Sequence, residues 1–304
     1  MLKLQPSLNV QTDSRAGYEV QEDRSALNAA QKDRRRALIV PREHGAWGML
    51  LVPLATGAAV GLFRGGLLVP ILLLTITVLA LFWLRTPLES WFGSTGMRVQ
   101  NREERQIVRT VVLPLATVAA VALIALFWGG KNRELIWLGT IASAMFGVQL
   151  FLKRLGRSTR MAAEMVGALV LSSTAPAAYY VATGRLDARA WMLWLLNWLF
   201  AADQVHFVWL RLRGIRASGL REKFATGWIF LAGNLFLVGI LALVYHVIWL
   251  PTLAWIAFVP ILLRGFGWFV RKPQPMVIRR LGWTELAHAL LFGALLTAGF
   301  SAKP

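Results

Sequence analysis

The strongest constraint on this chain is a succession of apolar runs, each close to the roughly 20 residues that a helix needs to cross the hydrocarbon core of a bilayer. They cover residues 45–63, 68–84, 111–128, 135–152, 161–183, 191–210, 224–245, 249–269 and 283–300. A 304-residue chain that is 57% hydrophobic and patterned this way is predicted to be all-α, a polytopic membrane protein of about nine transmembrane helices. In lipid a helix satisfies its own backbone, which an open strand does not. The fifth run contains Pro176, and the eighth begins only a few residues after the seventh ends, so eight spans is the alternative count.

Charge orients the spans. Of 33 Lys and Arg, only Arg64, Lys131, Arg133, Arg185, Arg189 and Lys303 fall on one side. The rest gather on the side of the N-terminus, which the positive-inside rule places in the cytoplasm, with the C-terminus outside. The net charge of +18 in a membrane chain points to the anionic headgroups of the lipid bilayer, so no nucleic-acid partner is expected. Residues 1–40 read as a polar, basic cytoplasmic tail without the apolar core of a signal peptide, and 41–304 as the transmembrane domain. Within the tail, 1–23 are expected to be disordered, and Ser25 to cap a short helix ending at Arg36. Trp83, Trp91, Trp209, Trp228, Trp268 and Trp283 fit the inner interface; Trp128, Trp137, Trp191 and Trp249 fit the outer one. Gly57-x-x-x-Gly61 is read as a close-packing face.

The chemistry gathers at one depth. Glu43, His44, Glu89, Glu164, Asp203, His206, Glu285 and His288 all sit at the same ends of separate apolar runs. Ionisable groups inside a membrane are costly unless paired or wetted. Asp203 and His206 are three apart, on one face of the sixth span, and Glu285 and His288 repeat that spacing on the ninth. Carboxylate-x-x-His on two helices with a further glutamate, Glu164 or Glu89, is how di-metal sites form in helical bundles. The plainer reading is that these groups cap helices and pair with nearby arginines. Arg85, Lys153, Arg154, Arg157, Arg160, Arg211 and Arg213 rim the same side and suit phosphate oxygens, although positive-inside topology puts basic residues there anyway. The chain has no cysteine, which excludes disulfides, thiolate metal sites and c-type haem attachment. Gly129-Gly130-Lys131 lacks the strand and the Ser/Thr of a phosphate loop. Ser172 and Ser173, beside Pro176, are read as satisfying freed backbone groups rather than attacking substrates.

The run Pro41-Arg-Glu-His-Gly-Ala-Trp-Gly-Met-Leu-Leu-Val-Pro53 resembles the opening of the YwiC-like family of bacterial membrane proteins. Arg85-Thr-Pro-Leu-Glu-Ser-Trp91, Lys153-Arg154, Arg211-x-Arg213 and Arg280-Leu-Gly-Trp-Thr-Glu-Leu-Ala-His288 extend the resemblance over most of the chain. It implies a multi-pass protein of the bacterial cytoplasmic (inner) membrane. More distantly, nine spans and the basic exits of the fourth and sixth resemble the UbiA superfamily of prenyltransferases, which implies a UbiA-like bundle. There, two aspartate-rich motifs hold magnesium against an isoprenoid diphosphate; here only Glu89 and Asp203 stand at the matching places as magnesium ligands.

The leading expectation is therefore a cytoplasmic-side polar cavity that binds an isoprenoid or other lipid with an anionic head, on the scaffold of a degenerate UbiA-like prenyltransferase. Asp203, His206 and Glu89 are the candidate catalytic groups, and Arg85, Lys153, Arg154, Arg211, His44 and Glu43 the candidate head-group binders. Glu164, Glu285 and His288 complete the layer. An isoprenoid quinone would suit the apolar walls and the histidines equally well. The alternatives are a proton-coupled small-solute transporter using Asp203, His206, Glu285 and His288 as a relay, and a non-catalytic membrane assembly partner.

Overall fold

The computed structural model describes residues 29–40, 44–92, 98–128, 133–156, 158–217, 219–248, 251–271 and 277–301. Among the described residues there is no strand. Helix α1 covers 29–39, and it is followed by α2 (His44–Phe63), α3 (Leu68–Phe92), α4 (Arg102–Trp128), α5 (Arg133–Arg154), α6 (Arg160–Ser172), α7 (Thr174–Thr183) and α8 (Ala188–Arg213). Then come α9 (Leu220–Ile248), α10 (Thr252–Ile256), α11 (Val259–Val270) and α12 (Ile278–Ser301).

Eight segments among the described residues are long and apolar enough to cross a membrane, with α6–α7 and α10–α11 each counting as one. Large apolar side chains such as Leu72, Val121, Phe236 and Leu243 face outward from them, as lipid-facing residues do. The chain is thus an all-α, multi-pass membrane protein. Helix α8, the sixth expected span, is as long as the others but too polar to count by composition, because Asn197, Asp203 and Gln204 on it are buried against protein rather than lipid.

The chain divides into two compact units, residues 1–42 with 79–120, and 43–78 with 121–304. In the first, α1 runs to residue 39, three beyond the expected stop at Arg36, while Ser25 and residues 1–23 lie outside the described residues. Arg34 Nε donates to Glu104 Oε1 at 2.6 Å, Arg35 Nη2 to Glu103 Oε1 at 2.5 Å, and Trp83 Nε1 to the Ile39 carbonyl at 2.8 Å. Asn101 accepts from Glu104 N, and Glu104 Oε2 accepts from Gln100 N, a reciprocal cap at the start of α4. These polar contacts explain why α4 starts nine residues before its apolar run and why α3 continues eight residues past its own.

The second unit is held by close backbone approach. Lipid tails are as apolar as leucine, so helices in a membrane associate through packing density and small residues. A Cβ at Gly57 would overlap the Ala175 carbonyl, and one at Gly61 would stand 2.6 Å from Ala182 Cβ, so α2 and α7 touch along the face that Gly57-x-x-x-Gly61 predicts. Phe292 stacks on Phe200 at 4.1 Å between ring centres and meets Phe258 edge-on, joining α12, α8 and α10–α11. Deeper still, Asn197 Nδ2 donates to Thr56 Oγ1 across α8 and α2.

Two spans are interrupted. Pro176 removes a backbone donor three residues after Ser173, where α6 gives way to α7, and the hydroxyls of Ser172, Ser173 and Thr174 donate to the carbonyls of Leu169, Val170 and Leu171. The backbone-satisfying role read from the sequence is the one they have. Pro260 follows the break between α10 and α11 in the same way.

Candidate functional site

Four helices of the second unit bring polar side chains to one buried place. Arg264, on α11, donates from Nη2 to Asp203 Oδ2 of α8 at 2.7 Å and from Nη1 to Glu285 Oε2 of α12. Asn234 of α9 donates from Nδ2 to the other oxygen of Asp203 at 3.2 Å. Gln204 donates to the Glu285 carbonyl at 2.9 Å, tying α8 to α12 at the same level. The Asp203, Arg264 and Glu285 side chains are only 4%, 10% and 12% exposed, so their charges lie away from solvent. The Phe207 ring lies 4.1 Å from Arg264 Cζ and covers the guanidinium, a cation–π contact strengthened by desolvation.

Arg264 is not among the expected site residues, although the expected run 249–269 contains it; the structure places it inside α11. The signal was present in the run Ile261-Leu-Leu-Arg-Gly-Phe-Gly-Trp268: a lone charge inside an apolar segment needs a partner. Asn234, in the apolar run Phe230-Leu-Ala-Gly-Asn-Leu-Phe-Leu-Val238, carried the same signal for a neutral polar group.

The rest of the expected layer goes elsewhere. Glu164 accepts from Trp209 Nε1 at 2.6 Å and from Arg160 at 3.3 Å. His206 is half-buried, with the edge of its ring against Phe230, and Gly233 leaves it room, since a Cβ there would lie 3.3 Å from the imidazole. His288 Nδ1 donates to the Thr284 carbonyl of its own helix at 2.6 Å. Among the described residues, no three His, Asp or Glu side chains converge as a metal site. The di-metal arrangement of Asp203, His206, Glu285, His288 and Glu164 is therefore corrected: an arginine occupies the point where the carboxylates meet, and the histidines turn away from it. In the first unit, Arg85 Nε bonds Glu89 Oε1 one turn along α3 at 2.9 Å, so the two expected groups hold each other. Glu43 and the side chain of His44 lie outside the described residues.

The ends of the cluster's own helices carry exposed basic residues: Arg213 on α8, Arg221 on α9, Arg271 just after α11, and Arg279 with Arg280 on α12; Lys153 and Arg154 are exposed at the end of α5. Arg211 on α8 is half-buried, and Arg213 lies over Trp209, 5.1 Å from its ring centre. Lys223 and Trp268, the latter expected at the inner interface, are both interior. Lys223 is buried and donates to the Trp268 and Arg271 carbonyls, closing the C-terminus of α11, and Trp268 packs in the core against Gly214 rather than at the lipid interface. Beside them an open apolar depression of about 450 Å³ is lined by Val277, Arg279, Arg280, Trp283, Thr284 and Ala287.

Residues 40–179 match the family model described as YwiC-like protein. The chain is 22% identical over 267 residues to the protein described as "Uncharacterized protein YwiC" of Bacillus subtilis (strain 168), covering 85% of this chain and 96% of the relative. No solved structure matches it. The family match spans α2 through most of α7, and the relative is matched over nearly its whole length, so this multi-pass helical chain is similar to YwiC-like proteins.

Proposed function

We propose that this YwiC-like membrane protein binds an isoprenoid or other lipid with an anionic head at the basic helix ends of its second unit. The observation that carries the reading is the depression at the start of α12. There Val277, Trp283 and Ala287 offer an apolar wall, and Arg279 and Arg280 flank it with two guanidinium groups. A chain lying along the wall would place a phosphate within reach of planar donors that grip it in pairs, at a helix N-terminus that favours negative charge. Arg271, at the end of α11, adds exposed positive charge, and Lys153 and Arg154 are exposed at the end of α5. The head-group role thus moves from Arg85, held by Glu89, to residues on α12.

Binding is a better reading than prenyl transfer. A magnesium–diphosphate clamp on the UbiA pattern needs free carboxylates, and the residues present do not fit it. Asp203 is occupied by Arg264 and Asn234, and Glu89 by Arg85. The experiment is native mass spectrometry with lipid extraction, comparing wild type with an Arg279→Ala, Arg280→Ala variant. An anionic isoprenoid or lipid that co-purifies with wild type should fall about tenfold in the variant, the loss of about 1.4 kcal/mol or more of head-group contact. Equal retention in both would sink the reading, and retention of a neutral quinone in both would shift it to that ligand.

A second reading, proton-coupled transport of a small solute, draws on the two interrupted spans. Transporter sites are often built where helices break, and α6–α7 and α10–α11 each break a few residues ahead of or beside a proline. Proton-coupled uptake into proteoliposomes that disappears in Asp203→Asn would favour it over lipid binding.

A further inference from the structure

The buried cluster holds two carboxylates against one guanidinium. If both acids were ionised, one negative charge would remain uncompensated where water is excluded, at a cost of several kcal/mol. The hydrogen bonds show where the imbalance falls. Asp203 uses both oxygens as acceptors, one from Asn234 and one from Arg264. Glu285 uses only Oε2, and its Oε1 is buried with no partner among the described residues. Asn234, only 2% exposed, likewise keeps a buried Oδ1 without a donor, and Arg264 Nε is a buried donor without an acceptor. Three unpartnered polar atoms in one small network exceed what a purely structural ion pair leaves behind.

We propose that the Asp203–Arg264–Glu285 cluster is a binding site for one exchangeable proton, carried on Glu285 Oε1. Taking a proton from water at this oxygen forms one O–H bond, brings the three side chains from a net −1 to zero, and leaves the Oε2 contact to Arg264 in place. The acceptor that lacks a donor then holds hydrogen itself. Releasing the proton to water restores the ionised pair. Neighbouring groups leave this oxygen the natural place. On α8 the nearest other titratable group is His206, turned toward Phe230, with Arg211 and Arg213 farther along. On α12 it is His288, committed through Nδ1 to Thr284, with Arg279 and Arg280 at the helix start. Helix α9 faces the cluster with neutral Asn234, its charged residues lying at its two ends, and α2, which packs on α12, carries only His44, at its first position. The site stands independently of lipid binding, since it lies on different atoms and takes a different ligand.

The test is pH-difference infrared spectroscopy on the full-length protein in lipid nanodiscs. Wild type should show the carbonyl band of one buried carboxylic acid, growing as pH falls and shifting in heavy water. Glu285→Gln, which keeps the shape and the Arg264 contact, should abolish it and lower proton uptake by one per chain; Asp203→Asn, which leaves one carboxylate against one guanidinium and so removes the excess charge, should abolish it as well, and labelling wild type with ¹³C-glutamate assigns the proton to Glu285. In case Glu285→Gln fails to fold, wild type labelled with ¹³C-glutamate gives the same answer, because the band must shift if a glutamate carries it. A band that survives Glu285→Gln, ignores the label, or is absent from folded wild type at every pH overturns the proposal. So does a band that added sodium removes at fixed pH, which would make the ligand a metal cation. Loss of co-purified lipid in Arg279→Ala, Arg280→Ala has no bearing on the band, so the two readings fail separately.

Discussion

Acid–base pairs occur in both units of this protein, and burial makes them different objects. In the first unit, Arg35 and Glu103 are 43% and 66% exposed, and water already solvates both charges. In the second, Arg264 lies at 10% between carboxylates that are 4% and 12% exposed. The same chemical bond is close to neutral for stability in the first place and decisive in the second, because what matters is the state left behind when one partner is lost. A surface charge without its partner returns to water. A buried one has nowhere to go.

The sharpest test of this contrast is Arg264→Ala. It leaves Asp203 and Glu285 facing each other without their cation and removes the cover over Phe207, so unfolding in detergent should become easier by about 3–5 kcal/mol. The loss should be largest at neutral pH and partly recovered in acid, where the stranded carboxylates protonate and the repulsion ends. Equal destabilisation at all pH values would mean that Arg264 matters for packing alone. A second variant approaches the contrast from the other side. Replacing all three groups by apolar residues of similar volume, Asp203→Leu with Arg264→Met and Glu285→Leu, should be neutral or stabilising by about 1–4 kcal/mol, since a buried ion pair rarely outweighs its own desolvation. If that chain folds and melts higher while losing its titratable carboxylic acid, the cluster is maintained for function. If it melts far lower, the ion pair is part of what specifies the helix arrangement.

The sequence disclosed the two regions unequally. Spans were legible because a bilayer demands about 20 apolar residues in a row, a signal that survives every local irregularity. The expected run at 45–63 and the helix His44–Phe63 differ by one residue. Helices extended past their apolar runs wherever polar residues found partners far away in sequence, as Glu104 does with Arg34. Pro176 marked the fifth run as irregular, and the break comes at Ser173; the break at residues 257–258, just ahead of Pro260, was not read from the sequence. At the site, both carboxylates of the two acid-x-x-His pairs were expected together and are found together. The histidine half of the pattern failed, because three-residue spacing puts two side chains on one helical face without making them point at the same neighbour. Arg264 was hidden by its sign. Basic residues are so common toward this side of the membrane that one more read as topology, although it stood within an apolar run.

A smaller effect belongs to the first unit. Asn101 caps α4 by accepting from Glu104 N at 2.8 Å, while the Glu104 carboxylate answers with Gln100 N and Arg34. Asn101→Ala should cost about 1 kcal/mol, read as a modest fall in melting temperature, and Asn101→Asp should restore it. The value of this cap lies in the backbone donor it satisfies, so it should persist in high salt.

Arg35→Ala should be the smallest change of all. The contact with Glu103 is short, at 2.5 Å, and by distance alone it would rank with the strongest in the molecule. Exposure decides against that ranking: ordering two long side chains in water costs about as much as their screened attraction returns. The melting temperature of Arg35→Ala should match wild type, and 1 M salt, which shrinks the Debye length to about 3 Å, should leave both unchanged. Vesicle binding is the readout in which Arg35 should matter, as one of the basic residues near an anionic surface, where each contributes about 1 kcal/mol of attraction. A variant that melts several degrees lower yet binds anionic vesicles as wild type does would reverse the assignment. Arg35 would then be a structural residue of the first unit, and the contrast between its exposed pairs and the buried cluster would be one of degree.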